Sequence, residues 1–178
     1  MMTNRYWMHF KTVMKHKAVV FHECRACGIT WQGITHDLSK LSPIEFFSSA
    51  RYFQGDKSPI EMEKAKKGYS EAWLHHKGHN KHHWEYWTDF GPDGKVIANK
   101  IPAKYVVEMV CDWIGAGKVY ESEEWTPASP INYYMKVRPG RHFHPFTEAM
   151  IVDMLETIRD DGMDEFHRLC KIYTSYRC

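Results

Sequence analysis

The run Thr35-His36-Asp37-Leu38-Ser39-Lys40-Leu41-Ser42-Pro43-Ile44-Glu45 holds the key to both the fold and the chemistry of this chain. Its second half is a helix start. A serine can accept a backbone N–H, proline at the first helical position loses nothing by lacking its own, and glutamate follows at the third. The signature returns at Ser58-Pro59-Ile60-Glu61. Two such starts predict helices from Pro43 to about Tyr52 and from Pro59 to about His76, with Gln54-Gly55-Asp56 as the turn between them. The first half sets an imidazole beside a carboxylate and brings a lysine to the same rim. Thr35 is expected to cap a short helix on which His36, Asp37 and Lys40 fall, with His36 and Lys40 on one face.

Towards the N-terminus, Tyr6, Trp7, Phe10, Val13, Met14 and Val20 recur at helical steps, predicting an amphipathic helix from Tyr6 to about Phe21 with His16 at the border of its buried face. Cys24 and Cys27 form a lone Cys-x-x-Cys. No second pair completes a four-thiolate zinc site, and no βαβ pattern suggests a redox motif, so they read as small residues near a helix end, before the breakers Gly28 and Gly33.

Towards the C-terminus, Lys64, Lys66 and Lys67 read as a solvated face. Then five of the chain's twelve histidines, His75, His76, His79, His82 and His83, crowd between Trp73 and Trp87. The tryptophans carry some of these imidazoles inward, where they need partners, and a metal ion is an efficient one. Gly91-Pro-Asp-Gly94 marks a turn and a small hairpin near residues 86–100. Pro102 opens a helix through Tyr105, Val106, Met109, Val110 and Trp113, ended by Gly115-Ala-Gly117. Asp112 lies against that apolar stripe, a costly place for a carboxylate without a compensating charge. After a polar connection, a short helix over Pro130–Val137, a turn at Arg138–Arg141, a helix from Pro145 to Asp161-Gly162 and a last helix from Met163 to Tyr173 supply wall and cover. Arg138 and Arg141 are the anion contacts of this part, and His142 and His144 read as surface groups or groups that orient others.

The bulk numbers narrow the class. A chain of 178 residues suits one domain, and 43% apolar content with 7 Trp, 10 Tyr and 9 Phe excludes a disordered chain. A net charge of +2 gives no general polyanion signal, so nucleic acid is not an expected partner. Five cysteines, Cys24, Cys27, Cys111, Cys170 and Cys178, make no dense disulfide framework. Reduced thiols, an N-terminus without the continuous apolar run of a signal peptide, and no apolar run near the ~20 residues of a membrane span lead us to expect an all-α, cytoplasmic protein with no membrane partner.

In chain order the candidate ligands are His16, His36-Asp37 with Lys40, His76 with His82 or His83, and Asp112. This set resembles the HD-domain superfamily of all-helical metalloproteins, in which a first histidine, a His-Asp doublet with a following lysine, and a late aspartate come from separate helices. The run Trp73-x-x-His76-x-x-x-Asn80-x-His82-His83 is similar to a small branch found in bacteria and their phages. The likeness spans roughly residues 10–115. It implies a single HD-like domain over residues 1–178, with the motif-bearing core at about 10–115 and covering helices at about 128–175.

The resemblance further implies a metal-activated water attacking a phosphoester, with a nucleotide or a related small phosphorylated molecule as substrate. One or two divalent transition metals (Mn, Fe, Co, Ni or Zn, with Mg also admissible) would be held by His16, His36, Asp37, His76, His82 and Asp112. Asp37 is suited to bridge two ions ~3.5 to 4 Å apart. Asp37, Lys40 and Glu45 form the expected catalytic set, and Lys40, Arg138 and Arg141 the substrate contacts. His75, His79, Asn80 and His83 are expected to orient ligands, carry protons or substitute as ligands, with Gly78 interrupting the helix between His76 and His83. Two other readings share these residues: an HD-type di-iron oxygenase, and a non-catalytic metal-binding or nucleic-acid-binding module. Substrate, metal and homo-oligomeric state stay open at this level.

Overall fold

The computed structural model describes residues 2–55 and 57–175, with the side chains of residues 2 and 3 left out; Asp56 and Cys178 lie outside the described residues. The protein is all-α. Among the described residues there are nine α-helices, four short 3₁₀ turns and one two-stranded hairpin, and no helix is long and apolar enough to cross a membrane.

α1 (Met2–Ala26) is longer than its apolar stripe because nothing in it breaks a helix before Gly28. There the chain turns left-handed, at φ 81°, and Gly28 and Ile29 donate to the carbonyls of Arg25 and Cys24 at 3.1 and 2.9 Å, closing the helix end in a Schellman motif. α2 (Thr30–Thr35) folds back on α1 at Gly33, where an added Cβ would meet the Cys24 Cβ at 2.9 Å and the Phe21 Cα at 3.2 Å. Thr35 is therefore the last residue of a helix and not the cap of a new one. His36 leaves the helix in extended geometry, Asp37 takes φ 54°, and Leu38–Leu41 form a 3₁₀ turn. Lys17 secures the reversal by donating to the Ile34 and His36 carbonyls at 2.8 and 2.6 Å, which the end of α2 leaves without helical partners.

α3 (Pro43–Tyr52) starts as expected, with the Ser42 hydroxyl accepting from the Glu45 N–H. The next expected helix is two: α4 (Pro59–Lys67) stops at left-handed Gly68, and α5 (Glu71–His79) restarts under a Ser70 cap. Gly78 lies in the last turn of α5, which ends at His79, so the helix is interrupted between His76 and His83 as expected, one residue beyond the glycine. β1 (Thr88–Phe90) and β2 (Val96–Ala98) pair antiparallel with Asp89 opposite Ile97, forming the expected hairpin.

α6 (Ala103–Tyr120) is the central helix; half of its eighteen residues are buried, among them Val106, Val110 and Ile114. It runs through Gly115 and Gly117, which serve close packing instead of ending it. A Cβ on Gly115 would stand 2.5 Å from a Val20 methyl of α1. α7 (Ser129–Val137), α8 (Pro145–Asp160) and α9 (Met163–Ser175) cover the far side, with Ile151, Met154, Leu155, Ile158 and Phe166 completing the core. Cys24, Cys27, Cys111 and Cys170 are free thiols buried in that core, where α1, α6 and α9 meet.

Candidate metal centre

Four segments deliver polar side chains to one buried point. α1 supplies His16, the reversal after α2 supplies His36 and Asp37, the stretch from α5 to the hairpin supplies His76, His82 and His83, and α6 supplies Asp112. The left-handed backbone at Asp37, which aspartate tolerates better than most residues, lets His36 and Asp37 both point inward while Leu38 points out.

Three groups could hold an ion: two sets share Asp37, and a third, His36, His82 and Glu108, lies behind them. In the first, His16 Nε2 is 3.0 Å from Asp112 Oδ1 and 3.4 Å from His36 Nε2, and His36 Nε2 is 3.3 Å from Asp37 Oδ2. In the second, Asp37 Oδ1 is 3.3 Å from His76 Nε2 and 3.4 Å from His82 Nε2, with His83 the fourth member. Ligands held ~2.1 Å from one ion stand roughly 3.0 to 3.4 Å apart at octahedral to tetrahedral angles, and these pairs have that spacing, while His16 Nε2 and Asp37 Oδ2 stand wider at 3.7 Å. Asp37 belongs to both, one oxygen in each.

The residues fit a metal on a further ground. Both Asp37 carboxylate oxygens, His82 Nε2 and His83 Nε2 are buried without a hydrogen-bond partner among the described residues. Lys40 Nζ approaches Asp37 Oδ2 to 2.6 Å, but not at a hydrogen-bonding angle. Buried polar atoms left in this way are costly, and a cation at their centre would satisfy them together. Burial pushes the Asp37 carboxyl up, yet the charges of His36, Lys40 and His76 outweigh it and hold the group well below the usual carboxylate range. Asp112 is held down against burial by His16 and His36. For Lys40, burial is overcome by the charges of Asp37 and Asp112, so its ammonium is firmly protonated.

A supporting layer fixes the rings. Glu108 Oε1 accepts from His36 Nδ1 at 3.0 Å and from His82 Nδ1 at 3.1 Å, turning the Nε2 atom of each towards Asp37. Glu45 takes His76 Nδ1 at 2.8 Å on one oxygen and His75 Nδ1 at 2.6 Å on the other. Asn80 donates to Ser39 Oγ at 2.7 Å, tying the 3₁₀ turn to the end of α5.

The centre opens on a cavity of about 620 Å³, lined by Lys40, Glu45, Trp73, Trp84, Trp113, Tyr133 and Arg141 among others. His9 also lines it, between the rings of Phe46 and Phe53, and burial together with the charge of Lys40 lowers its pKa to about 4.

The structure thus brings together all six expected ligands, His16, His36, Asp37, His76, His82 and Asp112, and adds His83 to the second set. Lys40 and Glu45 border them. His75 reaches the centre only through Glu45, and His79 is exposed, stacked on His75 at 3.9 Å. Of the two arginines, Arg141 lines the cavity and lies over the Trp113 and Tyr133 rings, whereas Arg138 is taken by the Glu148 carboxylate and does not line the cavity. His144 caps α8 by accepting from the Phe146 N–H, and His142 packs near Trp84. Glu108 and His9 are the residues that sequence reasoning missed. The signal for Glu108 was present: it is a lone acid among Val106, Val107, Met109 and Val110, one helical turn before Asp112.

Fold and site together define an all-helical protein with a buried, carboxylate-bridged histidine centre that can hold metal. The chain belongs to the DUF5662 family, a family of unknown function whose model matches residues 5–157. No curated protein and no solved structure matches the chain.

Proposed function

We propose that the chain is an HD-type metal-dependent phosphohydrolase acting on a nucleotide or a related small phosphoester. One observation carries the reading: Asp37 offers one oxygen to each of two histidine sets, and Lys40, 2.6 Å from that carboxylate, faces the same cavity. A pair of divalent ions bound there would supply a water of lowered pKa and a Lewis acid for a phosphoryl oxygen.

The remaining work falls to the chain's own side chains. Lys40 pairs with the anionic phosphoryl group and offsets charge that builds on its oxygens. Arg141, backed by Trp113 and Tyr133, gives the rest of the substrate a cationic and aromatic wall. Glu45 holds His76 in place with one oxygen and bonds the partly exposed His75 with the other, a route by which a proton can leave the site.

The test combines metal analysis of aerobically and anaerobically prepared protein with a phosphoester panel in the presence of Mn, Fe, Co, Ni, Zn or Mg. Asp37→Ala should lose both metal and turnover. Lys40→Ala should keep its metal while kcat falls by ~10² or more, the usual effect of removing one electrostatic contact to the transition state. Full metal content in Asp37→Ala, or metal loss in Lys40→Ala, would sink the assignment. Oxygen consumption by iron-loaded protein without phosphoester turnover would move it to the oxygenase reading, for which the mixed histidine and carboxylate set is equally suited.

A further inference from the structure

His9 stands on the cavity side of α1, two helical turns or about 10 Å before His16. It is 6% exposed and held between Phe46 and Phe53, with ring centroids 5.3 Å from each. Its Nδ1 is buried without a hydrogen-bond partner among the described residues. Its Nε2 has no partner there either but is not closed off, so it is the nitrogen that the cavity can reach. A neutral imidazole carries one proton, and the lower free energy has that proton on the nitrogen able to find an acceptor. His9 therefore offers an N–H to the cavity. Packing alone does not call for an imidazole here, because a phenylalanine would fill the space between Phe46 and Phe53 without burying a nitrogen.

We propose that His9 and Lys40 form a second anion subsite in the cavity, which holds a phosphoryl group of the substrate other than the one facing the metal centre. The identity of this ligand rests on the phosphohydrolase reading, and the subsite narrows that reading to phosphoesters that carry two phosphoryl groups.

The charges around the ring favour such a ligand. Lys40 is the one charged group that acts on His9, and together with burial it keeps the imidazole neutral. Glu61 and Glu121 also line the cavity, but neither is among the charges that act on this ring. An ammonium and an uncharged N–H on one wall present donors and no acceptor, which suits the oxygens of an anion. Tyr120, on whose phenol Lys40 also acts, lines the same cavity and adds an O–H. The distance along α1 from His16 to His9 separates this subsite from the metal centre, and Lys40, 2.6 Å from Asp37, connects the two.

The test is histidine-selective ¹⁵N NMR on the full chain as purified, titrated with inorganic phosphate at pH 7 and constant ionic strength. His9 should report a neutral ring protonated at Nε2, and phosphate should move its resonances along a saturable curve. Equilibrium dialysis of inorganic phosphate reads the variants. His9→Phe keeps a ring between Phe46 and Phe53, so it should be at least as stable as wild type in urea, yet hold phosphate at this subsite ~10-fold or more weakly, the cost of losing a hydrogen bond to a charged group. His9→Gln, which restores an N–H, should recover most of the affinity. A His9 resonance that phosphate leaves in place overturns the proposal, as does wild-type phosphate binding by His9→Phe. Neither readout needs metal or turnover. Phosphate binding at His9 in a protein without phosphoesterase activity would support the subsite and count against the phosphohydrolase reading, whereas an active protein with an unresponsive His9 would overturn the subsite alone.

Discussion

Glu108 does at the scale of one residue what Asp37 does from the other side. One of its oxygens serves a histidine of each set, so a single carboxylate orients both His36 and His82. Glu108→Ala should therefore weaken metal binding at both sets by ~10 to 100-fold, the usual cost of losing a carboxylate behind a ligating histidine. Glu108→Gln should recover much of the loss, because an amide oxygen can accept both N–H bonds. Metal titration followed by calorimetry reads the two affinities. Weakening of one set alone, or no difference between Ala and Gln, would show that the shared bond does not link the sets. Burial favours protonation of Glu108, and the two imidazoles reverse this and lower its pKa. Sequence reading singled out Asp112 and passed over Glu108, although both interrupt the same apolar helix one turn apart, because periodicity identifies a stripe but not the neighbour a side chain will find across it.

Among the elements, the contact of α1 with α6 is the one the site depends on most. Gly115 lets the two helices approach: a Cβ there would overlap the Val20 methyl at 2.5 Å and sit 3.5 Å from the His16 ring. Gly115→Ala should lower unfolding free energy by about 1 to 3 kcal/mol in urea denaturation, as overpacking does, and should loosen metal at the set containing His16 more than at the other. Wild-type stability and unchanged metal affinity in this variant would mean that the helices separate without consequence. The same glycine explains a limit of sequence reading. Glycine in a helix costs only ~1 kcal/mol relative to alanine, so tertiary packing overrides it readily, and Gly115 and Gly117, which look like breakers, both lie inside α6. Capping serines and N-terminal prolines were better guides, and they located the starts of α3, α4 and α8. The His36-Asp37 turn was not foreseeable in the same way, since its geometry comes from Lys17, nineteen residues from His36.

For the whole molecule, α9 closes the core beyond the last residue matched by the family, and a charged lock holds it. Glu23 of α1 accepts from His167 of α9 at 2.8 Å and from Lys118 of α6 at 2.7 Å. Burial works against the Glu23 carboxylate, but these partners lower its pKa from 4.5 to about 2. His167, bonded to Glu23 against partial burial, is raised above 6.5. The Glu23 contribution is complete above pH 4.5 and fades as pH falls towards 2, and that of His167 is complete below 6.5 and is lost as pH rises through its elevated folded value. The lock is therefore strongest between about pH 4.5 and 6.5. In urea titrations at pH 5.5 and 8.5, wild type should lose stability at the higher pH relative to His167→Gln, whose difference between the two should be smaller. Equal differences in both proteins would remove His167 from the account.

The core behind that lock contains four thiols, with Cys27 and Cys111 Sγ atoms 3.8 Å apart. An electrophile or oxidant in solution meets these sulfurs only in chains whose helices have already parted. Chemical damage to the core therefore scales with the fraction of molecules that are open as well as with the reagent around them, and ageing of the protein becomes a record of its own fluctuations.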